Sequence, residues 1–220
     1  MLFGNIDILQ MVFLAITFVI SISIHEFAHA RASTKLWDPT PKIQWRLTPN
    51  PLVHIDPIGF LLIFVIWFGR WKPVIVNPSY YKNPIRDELL VALAGPFSNI
   101  ILAFAGTIIM HVYMLIIGID SVYAGTDPVI QFWTLFGWLN VALAVFNMLP
   151  IPPLDGYRVL VFLFPKTQIF LQKYTMYFGI ILLGLIFLPG VSPIVMGFIT
   201  NTSQFIYGII NAIVASLFFW

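Results

Sequence analysis

The residues best equipped for chemistry are His25-Glu26-Phe27-Ala28-His29. Positions i and i+4 of a helix share one face, so both imidazoles can bind a single metal ion, and Glu26 can act as base toward a water activated by it. The string closes an apolar run, Ile8–Ile24, that has no charged member. Ionisable side chains inside a membrane helix cost about 2.5–3.5 kcal/mol each on insertion scales and usually carry function. The chemistry this points to is that of a zinc hydrolase set within the bilayer.

The remainder of the chain fits such a setting. Of its 220 residues, 60% are hydrophobic and 9% charged, with a mean hydropathy of +0.93. Soluble domains carry about 25% charged residues, so the expectation is an all-α, polytopic membrane helix bundle. A single membrane-embedded domain over 1–220 leaves no room for a separate soluble one. The net charge of +2 arises from clusters near the membrane and argues against a nucleic-acid partner. Cysteine is absent, so a metal site must draw on His, Asp or Glu. The first segment lacks a basic n-region and contains the motif, which reads as a retained helix and not a signal peptide.

Six apolar segments can position the motif: 8–33, 58–69, 88–118, 129–149, 169–189 and 192–219. A full span needs about 20 residues, so 58–69 reads as a re-entrant or interfacial element. Arg31, Lys35, Lys42 and Arg46 precede it, and Arg70, Lys72, Lys82 and Arg86 follow it. Loop 119–128 has Asp120 and Asp127 but no basic residue. The bias of Lys and Arg toward the cytoplasm then puts the N-terminus outside and brings 25–29 and 147–158 independently to the cytoplasmic leaflet. Stripes of small and amide residues mark several helices, among them Ala92, Gly95, Asn99, Ala103 and Gly106, as close-packing faces.

A catalytic zinc keeps three protein ligands. Asp155 stands in Asn147-Met148-Leu149-Pro150-Ile151-Pro152-Pro153-Leu154-Asp155-Gly156, where the prolines must break the fourth apolar helix. Irregular backbone at membrane depth persists only when buried in protein or lining a wet cavity. A carboxylate there can complete the site. The competing reading makes Asp155 a helix-start residue satisfied by local backbone N–H groups.

Together these two strings resemble the site-2 protease family of intramembrane zinc metalloproteases. Further pieces resemble its compact prokaryotic branch, without PDZ-like or nucleotide-binding regulatory domains: His54-Ile55-Asp56-Pro57-Ile58-Gly59, Lys72-Pro73-Val74 with Asn77-Pro78, and Ala94-Gly95-Pro96-Phe97-Ser98-Asn99. The resemblance covers about residues 15–165, and 166–220 shares only its apolar character. It implies one zinc per chain held by His25, His29 and Asp155, with Glu26 as catalytic base. Asn147 corresponds to the asparagine associated with placing the substrate strand, although Asn147 and the Pro-Leu-Asp-Gly string are not contiguous here. The resemblance further implies membrane-anchored regulators or leftover signal peptides as substrates and a prokaryotic plasma membrane as location.

Asn147 or Asn140 is a candidate donor to a developing oxyanion. Asn99 and Asn140 read first as interhelical hydrogen-bond donors and second as site residues, and His54 as either a turn residue or one behind the ligands or facing substrate. Two other classes compete: an inactive homologue that binds zinc and membrane clients, and a metal or solute carrier. Glu26 is superfluous to the first. The second calls for paired broken helices in two repeated halves, whereas one proline break is visible. Glu88 and Asp87 read as acids placed by the dipole of a helix start.

Overall fold

The computed structural model describes residues 8–56, 59, 72–118 and 125–218. Helix α1 (Ile8–Lys35) runs unbroken through the apolar stretch and the histidine motif. Its 28 residues exceed the roughly 20 a span needs. Lys35 in the last turn complements the helix dipole, and Trp37 then adopts a left-handed φ of 77° that turns the chain away. Two single-turn helices follow, α2 (Thr40–Ile43) and α3 (Pro51–His54), the latter started by the Asn50 side chain accepting from the Leu52 N–H.

Helix α4 (Pro84–Ile117) opens with proline at its first position, where no N–H is needed. The Asp87 carboxylate reaches back to the Asn83 N–H. Gly118, at φ 64°, ends the helix in the left-handed conformation that a side chain would resist. Helix α5 (Pro128–Asn147) is capped by Asp127, which accepts from Val129 and Ile130. Then come α6 (Tyr157–Leu163), α7 (Gln168–Lys173), α8 (Thr175–Phe187) and α9 (Ser192–Phe218). The elements among the described residues are all helices, without a strand.

Among the described residues three helices, α1, α4 and α5, are long and apolar enough to cross a membrane, and a bent pair makes a fourth if it counts as one span. The expected segment 169–189 is that pair: the chain bends by 79° between Pro165–Lys173 and Thr175–Phe187. Helix α9 is 27 residues long but falls short in hydropathy, because Asn201, Gln204 and Asn211 interrupt its apolar sequence. The six apolar segments are thus not six straight spans. Segment 58–69 lies outside the described residues apart from Gly59.

Helix α4 is the hub, packed against α1, α5, α6 and α9. Buried Ala103, Val141, Ile210 and Val214 form a cluster where α4, α5 and α9 meet. Lipid tails are as apolar as leucine, so close packing has to hold these helices together. A Cβ on Gly106 would lie 2.6 Å from Phe136, and one on Gly137 2.5 Å from Tyr207. Gly197 and Gly208 of α9 meet no described atom within 4 Å, so not every small-residue stripe is a packing face.

Candidate metal centre

His25 and His29, both buried, project from one face of α1 with their Nε2 atoms 3.0 Å apart. Asp155 arrives from the loop 148–156 and places Oδ2 3.1 Å from the first Nε2 and 3.3 Å from the second. Proline halts α5, and the loop folds back onto that helix end through a hydrogen bond from Gly156 N–H to the Asn147 carbonyl, 2.7 Å. A Cβ on Gly156 would sit 2.2 Å from the Met148 carbonyl oxygen, so the return requires glycine.

The Asp155 side chain caps nothing: α6 has no side-chain cap. Its Oδ2 is buried and accepts no hydrogen bond. That orphaned oxygen, more than a hundred residues from His25 and His29 in sequence yet beside them in space, is unexplained by local structure. The imidazoles explain it, given the tautomers that their outer nitrogens impose.

The Phe136 carbonyl can only accept, and it takes a hydrogen from Asn140 Nδ2 at 2.9 Å. Asn140 therefore presents Oδ1 to Asn99 Nδ2, also at 2.9 Å. Asn99 in turn presents Oδ1 to His25 Nδ1, at 2.6 Å, which must donate. His29 Nδ1 donates to the Val91 carbonyl at 2.7 Å. Both Nε2 atoms are thereby left as acceptors, aimed at each other and at a carboxylate. Three electron-rich atoms at such distances repel unless a cation lies among them. Two neutral imidazoles with outer nitrogens hydrogen-bonded, plus one carboxylate, form a donor set that suits zinc.

Every outer contact of the histidines comes from α4. Val91, Gly95 and Asn99 follow one another at intervals of four, a single helix face. Gly95 lies directly beneath the rings, where a Cβ would fall 2.4 Å from His29 Nε2 and 2.6 Å from His25 Nε2. Sequence reasoning placed Gly95 among packing residues and did not see Val91, whose contribution is a backbone oxygen.

The Glu26 carboxylate, also buried, accepts from the Val74 N–H at 2.7 Å. Val74 belongs to the extended stretch 72–77, which is fastened at several points. Lys72 N–H donates to the His54 carbonyl (2.8 Å), Arg46 donates to the Lys72 carbonyl (2.7 Å), and Asn77 N–H donates to Asp38 Oδ2 (2.8 Å). Asp38 is fully buried and also accepts from Ser33 Oγ and the Thr40 N–H. Burial pushes its carboxyl upward, but the hydrogen bonds from Thr40, Asn77 and Ser33 prevail and hold it below its ordinary value. The Tyr81 hydroxyl completes the knot by donating to Ser33 Oγ; burial, aided by the Asp38 charge, pushes that phenol up to about 12.

Of the other residues singled out, His54 is fully buried, donates from Nε2 to the Thr48 carbonyl and has no partner at Nδ1. Asn147 is buried and donates to Leu143 O in its own helix. Asn99 and Asn140 stand in the chain of amides behind His25. Glu88 differs from the dipole reading. Asp87 does bond the helix start, whereas Glu88 is buried and pairs with Arg158 of α6. A cavity of about 200 Å³, lined by His29, Asp155, Val74, Val76, Glu88 and Arg158 among others, opens beside the ligands.

Comparisons with known proteins point to one family. The model of peptidase family M50 matches residues 110–188, from the last turns of α4 to the end of α8 and including Asp155. The chain is 44% identical over 158 residues to "Putative zinc metalloprotease YwhC" of Bacillus subtilis, covering 70% of each chain. It is 31% identical to "Putative zinc metalloprotease Rip2" of Mycolicibacterium smegmatis, over 68% of this chain and 57% of that one. Identity to "Stage IV sporulation protein FB" of Bacillus subtilis is 28%, over 70% and 51% respectively. The chain thus spans little more than half the length of the last two. No solved structure matches it. With a relative of this identity and coverage, and a metal-type donor cluster in place, the chain belongs to peptidase family M50, the site-2 protease family whose motifs it bears.

Proposed function

We propose that the protein is an intramembrane zinc-dependent endopeptidase, cutting peptide bonds in or near transmembrane segments of membrane proteins. One observation carries the reading: His25, His29 and Asp155, drawn from α1 and from a loop more than a hundred residues later, converge with both imidazole Nδ1 atoms already engaged as donors. One zinc per chain, held by these three, would act as a Lewis acid and lower the pKa of a water toward about 7.

The chain's own residues then divide the work. Glu26 takes the proton of the attacking water and returns it to the leaving nitrogen. Its Oε2 is held by the Val74 N–H, which leaves Oε1 for the proton. Asn99 and Asn140 act through His25, fixing its ring and tautomer. Asn147, at the end of α5 where the ligand loop departs, is the proposed substrate contact. His54 holds the 72–77 stretch through its carbonyl. A transmembrane helix hides its peptide bonds, so the substrate must unwind locally, and the extended residues around Val74 offer an edge for it. The basic residues after α1 favour a centre toward the cytoplasmic leaflet.

The test is cleavage of a single-span reporter by purified, reconstituted protein, compared with Glu26→Gln. Loss of cleavage in the variant, with zinc retained, supports the assignment. Equal cleavage by both removes Glu26 as base, and no cleavage by wild type across signal-peptide and single-span reporters removes the protease reading.

A further inference from the structure

The pair formed by Glu88 and Arg158 has no part in the chemistry described above, yet it lies in the wall of the cavity beside the ligands. Glu88 is a carboxylate with a side chain only 5% exposed, and burying such a charge is costly unless it is paired. The helix dipole does not account for it, since Asp87 already serves the helix start. Its place on α4 does. Glu88, Val91, Gly95 and Asn99 fall at i, i+3, i+7 and i+11, one continuous stripe.

Three members of that stripe bear on the histidines: Val91 holds His29, Asn99 holds His25, and Gly95 supports both rings. The fourth grips the other ligand element. Arg158 is three residues beyond Asp155, and its own N–H donates to the Asp155 carbonyl at 3.0 Å. The turn that carries the carboxylate is thus tied to the guanidinium that Glu88 holds. The other backbone hydrogen bonds that tie loop 148–156 to a preceding helix among the described residues all reach the end of α5: Met148 to Ala144, Leu149 to Phe146 and Gly156 to Asn147.

We infer that Glu88 and Arg158 are positioning residues for the metal centre: their ion pair docks the Asp155 turn onto the same α4 stripe that orients His25 and His29. One helix face then sets all three ligands in a common frame. The inference rests on the ligand set proposed above. Outer contacts of this kind typically change metal affinity by about 10–100-fold when removed.

The experiment measures zinc affinity of tag-free protein in detergent by chelator competition, with thermal unfolding of the metal-free form alongside. Glu88→Gln and Arg158→Gln test the singles. The double variant Glu88→Met with Arg158→Met leaves no lone buried charge and guards against a failure to fold. The expected result is zinc bound about 10–100-fold more weakly in all three. The double variant should still unfold near the wild-type temperature, and its cobalt-loaded form should show an altered visible spectrum. Wild-type affinity in the folded double variant would overturn the inference, as would failure of all three to fold. An Asp155→Ala control separates the two levels. If wild type binds no zinc, the ligand set itself fails; if Asp155→Ala loses zinc while the Glu88 and Arg158 variants keep it, this inference alone fails.

Discussion

Helices α4 and α8 are both apolar, and they are built to opposite ends. Twelve residues of α4 are buried, including Asp87, Glu88, Asn99, Thr107 and His111, whereas α8 buries Leu182 alone. Glu88 pairs with Arg158 of α6, Asn99 bonds His25 of α1 and Asn140 of α5, and His111 stacks on Phe218 of α9, while Asp87 serves the start of its own helix. On α8, Met176, Tyr177, Ile180 and Ile181 are exposed, and the helix touches the rest of the molecule chiefly through α9. The contrast teaches where the sequence is constrained. In a membrane, apolar surface can face lipid at no cost, so the densely determined part of the molecule is the part that must orient polar ligands.

Substitutions can break that contrast or sharpen it. The largest expected effect is from Gly95→Ala on α4, whose new Cβ would occupy space 2.4–2.6 Å from both Nε2 atoms. Zinc content and cleavage should both fall to background, while Gly184→Ala on α8, where the nearest atom is 3.5 Å away, should leave zinc unchanged. Next comes Asn99→Ala. It frees His25 to change tautomer and leaves the Asn140 oxygen unpartnered, so zinc should bind about 10–100-fold more weakly by chelator competition.

A smaller effect concerns the knot behind Glu26. Asp38→Ala leaves buried donors from Ser33, Thr40 and Asn77 unsatisfied, which should destabilise the fold by about 1–3 kcal/mol in thermal unfolding. The pH dependence has a definite sign. The folded-state carboxyl of Asp38 titrates below its unfolded value of about 3.9, so its contribution is complete above that pH. It disappears as pH falls through the lowered folded value, and the Asp38→Ala variant should show a flatter acid limb. The smallest effect is Ile180→Ala, at 59% exposure on α8, expected within about 0.5 kcal/mol of wild type.

Much of the centre was legible beforehand because residue type and spacing encode it. His25 and His29 share a face by the period of a helix, and Asp155 follows prolines that no helix tolerates. The rest escaped for physical reasons. The Val91 carbonyl and Val74 N–H are backbone groups, which carry no signature in residue type. Glu88 and Arg158 are 70 residues apart, and only the packing of α6 on α4 shows that they meet. Gly95 was visible as a small residue but not as the floor beneath the rings, since a packing stripe and a ligand stripe have the same composition. The bend at Tyr174 was likewise hidden: an apolar run fixes length and hydropathy, not straightness.

The most direct test of the account is the zinc content of tag-free, detergent-purified protein, wild type against Asp155→Ala. The account predicts about one zinc per chain in wild type and a marked loss in the variant, with helicity preserved in both. Wild type that stays free of zinc after reloading, or an Asp155→Ala variant that keeps its full complement, would contradict it.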